Sequence, residues 1–344
     1  YLGRHCRDEQ ALDELLSRSG WTLSKDEWRE ARRHMMKTTT LTFGAPWLPE
    51  GHLIERHQES SALRQRLLAP TKRSPHVVIV QGIAGIGKTT LVNQAVRDRA
   101  VQERYSDGIY WLNLQRENQE SAVLSLASMV TGLDTLENRN PWQVVEVALK
   151  RKEALLVLDG ASAGNELDRW RTVIPRFGAL LLTTRVKSLG ALDQRLAIPP
   201  MNQDETKSLL TRGIDWDASE SQLSWLMEAL GGLPLALDIV NHIARWDKGF
   251  ANLVEELQEE SITPLRIGKT KDRNLEVAFQ LSYQRLDEQA AQLFRAISRS
   301  PQPFEVDAFS RILGRDRTAT VRGFRTLTRM GLMDAEDAGR YRTH

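Results

Sequence analysis

Gly82, Gly87, Lys88 and Thr89 fill the fixed positions of a G-x-x-x-x-G-K-[ST] pattern, and that pattern has a definite chemistry. Glycines let the main chain curl until successive N–H groups converge on one point. A helix starting there adds the positive end of its dipole, so an anionic polyphosphate is held without side-chain charge. Lys88 supplies a point cation. The Thr89 hydroxyl has the reach to ligate a Mg²⁺ that bridges β- and γ-phosphates. Gly85 and Thr90 complete the loop residues expected against the phosphates.

Further candidates lie downstream. Asp159 ends the apolar run Ala154-Leu-Leu-Val-Leu. In a parallel sheet that strand tip would lie beside the phosphate loop and place the carboxylate behind the Mg²⁺, in the manner of a Walker B acid. The plainer alternative for an aspartate after an apolar strand is that it caps the turn. Arg185 follows Ala179-Leu-Leu-Leu-Thr-Thr; from a strand tip its guanidinium can reach a γ-phosphate, whereas the alternative is a surface salt bridge. Gly160 stands where many hydrolytic enzymes of this type carry a second acid to orient water, which predicts slow turnover. His5 beside Cys6 invites a catalytic reading, but no orienting partner can be named and a surface pair accounts for it.

These residues need elements to position them. Val77–Val80 is a β-branched run suited to a strand buried on both faces, and it leads straight into the loop. Thr90–Arg104 reads as one helix, with Leu91, Val92, Ala95 and Val96 on its apolar stripe. A helix over Leu53–Leu68, a strand over Gly108–Leu114, a helix over Ser121–Val130 and a helix over Trp142–Lys150, capped by Asn140 and Pro141, come around it. Leu196–Pro200 closes the sheet. Strand and helix alternate at crossover spacing, so the fold class is α/β with a parallel sheet covered on both faces. Thr38–Pro49 reads as a linker, preceded by weak helical patterns at Glu9–Leu16 and Lys25–Met36.

Beyond Asn202 the pattern turns helical. Asp204–Thr211 and Ser219–Leu230 come first; then Pro234, after Gly231, Gly232 and Leu233, marks a helix start, and its ring can offer an apolar plate to an adenine. Helices over Leu275–Leu286, Gln289–Ser298, Val306–Leu313 and Val321–Met330, followed by a short hairpin, give the outline of a winged helix. Arg322, Arg325 and Arg329 share one helix face. DNA contact is one reading of them, and a solvated face is the favoured one.

The whole chain sets limits. With 344 residues, 41% hydrophobic and 27% charged, it has the composition of a soluble globular protein of two or three domains. Its 47 Lys and Arg against 45 Asp and Glu leave a net charge of +2, too mild for a dedicated nucleic-acid binder. One cysteine excludes an internal disulfide framework and fits a cytoplasmic location. No apolar run is long enough to span a bilayer. A first residue that is not Met leads to the expectation of a piece of a longer polypeptide.

Taken in order, the phosphate loop, the strand ending at Asp159, the Thr-Thr-Arg strand and Gly-Leu-Pro-Leu resemble the NB-ARC family of STAND signal-transduction ATPases. The resemblance implies a nucleotide-binding domain over 51–200, a helical domain over 201–264 and a winged-helix domain over 265–344, with 1–50 leading to an effector. It implies ADP or ATP with Mg²⁺ as cofactors. Lys88, Asp159 and Arg185 become the catalytic set, and Thr89 with Asp159 the metal set. Ile54 and Arg56 go to adenine, although the family's glycine-arginine pair appears here as Glu55-Arg56. Pro234 falls on the family's adenine-contacting proline. His344 falls on a histidine that holds the β-phosphate of ADP, with Thr343 replacing the methionine of that motif. The activity implied is a switch, closed with ADP and oligomerising with ATP, answering a trigger bound by a further C-terminal sensor. An AAA-type remodelling ATPase and a winged-helix transcription regulator are the alternatives.

Overall fold

A computed structural model describes residues 42–46, 53–69, 76–115, 117–132, 139–162, 164–186, 194–215, 217–247, 249–259, 272–298, 304–335 and 340–343. His5, Cys6, the helical patterns at Glu9–Leu16 and Lys25–Met36, and His344 lie outside them. In the first part, β1 (Thr42–Phe43) is followed by α1 (His57–Leu68), β2 (Val77–Gln81), α2 (Lys88–Arg97), α3 (Arg99–Arg104), β3 (Gly108–Asn113), α4 (Gln119–Thr131), α5 (Pro141–Leu149), β4 (Ala154–Ala161), α6 (Gly164–Arg171), β5 (Ala179–Thr184) and β6 (Gln194–Ala197). The strands form one sheet in the order β1-β3-β4-β5-β2-β6, and every pairing is parallel.

Side-chain alternation sorts the strands onto two cores. Val78, Val80, Ile109, Trp111, Leu155, Val157 and Leu181 face one side, where Leu63 and Leu67 of α1 and Val92 and Val96 of α2 cover them. Val77, Ile79, Tyr110, Leu112, Leu156, Leu158, Leu180 and Leu182 face the other, beneath α4, α5 and α6. A strand with both faces buried must be apolar at every position, which is why β2, β4 and β5 read as unbroken apolar runs. Because all strands point the same way, the ends of β2, β4 and β5 open on a single edge of the sheet, and there the phosphate loop, Asp159 and Arg185 meet.

Local features of this part depart from the sequence expectation. Thr42–Phe43, inside the stretch read as linker, adds to the sheet edge beside β3, and Phe43 stacks on Tyr110 at 5.2 Å between ring centroids. The helix expected over Thr90–Arg104 begins at Lys88 and breaks at Asp98. Asp98 has an extended ψ of 131° and its carboxylate accepts the N–H groups of Ala100 and Val101, so the residue caps a new helix instead of continuing the old one. The last strand lies at Gln194–Ala197, ahead of the Leu196–Pro200 window, in parallel register with β2.

The remainder comprises α7 (Gln203–Leu210), α8 (Glu220–Leu230), α9 (Pro234–Asp247), α10 (Ala251–Glu259), α11 (Asp272–Gln284), α12 (Glu288–Ile297), β7 (Phe304–Glu305), α13 (Val306–Leu313), α14 (Arg317–Arg329), β8 (Met333–Ala335) and β9 (Arg340–Thr343). Asn202 and Ser219 each build a full capping box at the start of α7 and α8. The core on the α1–α2 side of the sheet continues without a break through Leu210, Leu226, Leu237, Val240 and Leu257 to Leu281. A separate core holds Leu293, Ile297, Phe309, Phe324, Leu327 and Leu332. Phe279 of α11 packs against both. β7, β9 and β8 make a small antiparallel sheet, of which the sequence suggested only the β8–β9 hairpin.

Candidate functional site

The site is built on the turn from β2 into α2. Gly82 leaves the strand where a methyl group would lie 2.8 Å from Ile86 Cγ2. Gly85 and Gly87 hold φ of +68° and +89°, a left-handed backbone that glycine adopts without strain. Gly87 is the N-cap of α2, and no side chain caps that helix. The N–H groups of its first turn, Thr89 and Thr90 among them, therefore present their dipole end to an anion. Lys88 folds back across the loop, and its ammonium donates to the carbonyls of Gly82 at 2.9 Å and Ile83 at 2.8 Å.

Charge is crowded at this point. Burial, and next the positive field of Arg185, push the Lys88 pKa down to about 8, while Asp159 opposes the fall. Two cations near one another over an uncapped helix start are the electrostatic counterpart of a bound polyphosphate, which relieves both. The residues present thus fit a nucleotide's phosphate tail. Arg185 itself is exposed at the tip of β5.

Asp159 is buried and receives three hydroxyl contacts: Thr89 donates to Oδ1 at 2.9 Å and approaches Oδ2 at 3.1 Å, and Thr183 donates to Oδ1 at 2.6 Å. Thr183 in turn accepts the Gly160 N–H at 2.8 Å. The carboxylate and the Thr89 hydroxyl are therefore adjacent at the loop, as a magnesium site in a phosphate loop requires. Among the described residues no group of three or more His, Cys, Asp and Glu side chains gathers. The role of Thr183 is legible in the sequence only as a hydroxyl at a strand end.

Other elements close over the loop. Arg56 is buried and donates to the carbonyls of Ile86 at 3.3 Å and Pro199 at 2.7 Å and to Glu59 at 3.3 Å, bracing the loop against the residues that follow β6. Ile54, just before it, packs on the adjoining core. Pro234 starts α9 beside the loop, 3.8 Å from where a Gly87 methyl would lie, and the same construction on Gly85 meets Leu235 Cβ at 3.1 Å and Leu275 Cδ2 at 3.3 Å. The Leu235 N–H donates to the Gly85 carbonyl at 3.2 Å, so a first-turn donor of α9 finds its acceptor in the phosphate loop. Gly82, Gly85, Gly87, Lys88, Thr89, Thr90, Asp159, Arg185, Arg56 and Pro234 are brought to one locality; Leu235, the last residue of Gly-Leu-Pro-Leu, joins them, and so does Leu275, which has no sequence signal beyond apolar character.

Residues 56–212 match the model of the NB-ARC domain. Human apoptotic protease-activating factor 1 is 23% identical over 287 residues, 76% of this chain and 22% of that protein. Probable disease resistance RPP8-like protein 2 of Arabidopsis thaliana is 24% identical over 261 residues, 68% of this chain and 28% of that protein. Among solved structures, a Signal Transduction ATPase with Numerous Domains with a tetratricopeptide repeat sensor, from Pyrococcus horikoshii, superimposes with a TM-score of 0.59 at 18% identity, covering 87% of this chain and 42% of that one. That likeness is one of fold. The chain spans less than half the length of each of these proteins.

Proposed function

We propose, from the match of residues 56–212 to the NB-ARC domain model, that the chain is a nucleotide-dependent signalling switch, closed with ADP and opened by exchange for ATP. The loop N–H groups and Lys88 hold the β-phosphate; Thr89 and Asp159 hold Mg²⁺; Arg185 answers the γ-phosphate; Ile54 and Pro234 flank the adenine, with Arg56 bracing the loop beside it. His344 is read as a further contact to ADP. The unit from α11 to β9 is read as a winged helix whose place is over the nucleotide.

One observation carries the reading: the phosphate loop is itself the seat of the helices that follow, through the Leu235 N–H bond to Gly85 and the packing of Leu275. A change in loop conformation is felt by α9 and α11 at once. Moving a two-state equilibrium from 1:99 to 99:1 takes about 5.5 kcal/mol of differential binding. One charge-assisted hydrogen bond supplies about 1.5 to 3 kcal/mol. The Arg185 contact alone is therefore too weak, and a second input is required, which we assign to a trigger acting on the helices or on a sensor attached to them. Self-association follows opening.

The test is release of a fluorescent ADP from wild type, Lys88→Ala and Leu275→Ala. Truncating a half-buried leucine forfeits about 1 kcal/mol of packing, so Leu275→Ala should release ADP about fivefold faster, and Lys88→Ala should bind it poorly. Unchanged release from Leu275→Ala would reject the closed lock.

A further inference from the structure

Gly160 follows the buried carboxylate of Asp159 and holds φ of +84°. Its missing side chain is not open space: a methyl there would collide with Gln115 Cγ and lie 2.7 Å from Gln115 Nε2. Gln115 lies in the turn two residues past the end of the neighbouring strand β3. Asn113 at the end of β3 is in register with Asp159, the Leu114 N–H donates to the Asp159 carbonyl at 2.8 Å, and the Gln115 N–H is tied to Asn113 Oδ1 at 3.0 Å. The main chain around Gln115 is thus fixed to the tip of β4. Gln115 is exposed, and its side-chain amide makes no hydrogen bond to the described residues, so a donor and an acceptor are available against Gly160, next to the carboxylate that Thr89 of the phosphate loop contacts.

Resting on the nucleotide reading above, we infer that Gln115 is the water-positioning residue of a slow ATP hydrolysis, taking over from β3 the place that a second acid at position 160 would have held. In that step the water oxygen bonds to the γ-phosphorus while the bond from that phosphorus to the β–γ bridging oxygen breaks. ADP leaves with the bridging oxygen and its electron pair, and both water protons depart on H₂PO₄⁻. A neutral amide orients the water by accepting from it and donating to the phosphoryl group, but removes no proton, so turnover stays below that of a site with a carboxylate base. Asp159 is engaged by two threonine hydroxyls and serves the metal. A glycine at 160 is then required twice, by its backbone angle and by the amide laid over it.

The experiment compares wild type with Gln115→Ala and Gln115→Glu by ADP affinity, by single-turnover hydrolysis of bound ATP, and by the gain in ADP retention on adding aluminium fluoride, which mimics the transferring phosphoryl group. Gln115→Ala should keep ADP affinity within about twofold, lose about ten- to a hundredfold in single-turnover rate, and lose the fluoride-dependent retention. Gln115→Glu should retain turnover and gain an acid limb in its pH profile as the new carboxylate protonates. Intact binding with wild-type turnover and retention in Gln115→Ala would overturn this inference alone, as would a wild type that binds ATP and never cleaves it. Absence of adenylate binding by the wild type would overturn the nucleotide reading together with this one.

Discussion

Lys88 shows how far a single residue's chemistry is set by its neighbours. Its pKa is lowered from 10.5 to about 8, so between those values the folded chain carries less charge than the unfolded chain does. Stability of the free protein should rise with pH across that window, and the cost of the buried ammonium is present in full below it. A phosphate tail favours the protonated form, so binding should draw a proton from solvent above pH 8. Calorimetry of ADP binding in buffers of different ionisation heat should register that uptake, and affinity should begin to fall near pH 8, well before a free lysine would lose its charge. Thr183 offers a second check. Thr183→Val removes a donor from buried Asp159 and an acceptor from the Gly160 N–H, a loss of about 1 to 3 kcal/mol. A lower melting temperature is expected, together with weaker Mg²⁺ dependence of nucleotide affinity.

At the scale of elements, what the sequence revealed depended on length and on local punctuation. β2, its loop and the start of α2 were legible because an apolar strand, a glycine pattern and an amphipathic stripe follow one another, and β4 and β5 were legible as unbroken apolar runs. β1 and β7 are two residues each, too short for any period to show. The break between α2 and α3 was hidden because Val96 and Val101 both stay on the buried face, so the apolar stripe passes over it; the signal was Asp98, which competes for backbone N–H groups better than it continues a helix. Asp98→Ala should cost about 1 kcal/mol and lower the thermal midpoint, with ADP affinity unchanged, since Asp98 ends α2 at the opposite end from the phosphate loop, paired with Arg64. Leu275 and Gln115 could not be read, because their roles depend on which distant elements meet; Leu235 was legible as the end of Gly-Leu-Pro-Leu, but not its bond to Gly85.

For the whole molecule, the distribution of core is decisive. The sheet face and helices α7 to α11 share one continuous core, while α12 to β8 enclose a second, joined to it through Phe279. Phe279→Ala should therefore weaken the seam more than either core. Limited proteolysis should then cut that variant between the two parts sooner than wild type, and saturating ADP should slow the cut if nucleotide and seam are coupled. The bond from the Leu235 N–H to the Gly85 carbonyl has a consequence of its own. It acts as a pivot pin common to the ligand cradle and the helical lever, and thermodynamic linkage makes such a pin work in both directions. On the proposed switch reading, tilting α9 or α11 from outside should therefore loosen the nucleotide without any contact to it, and a substitution that shifts either helix should speed ADP release.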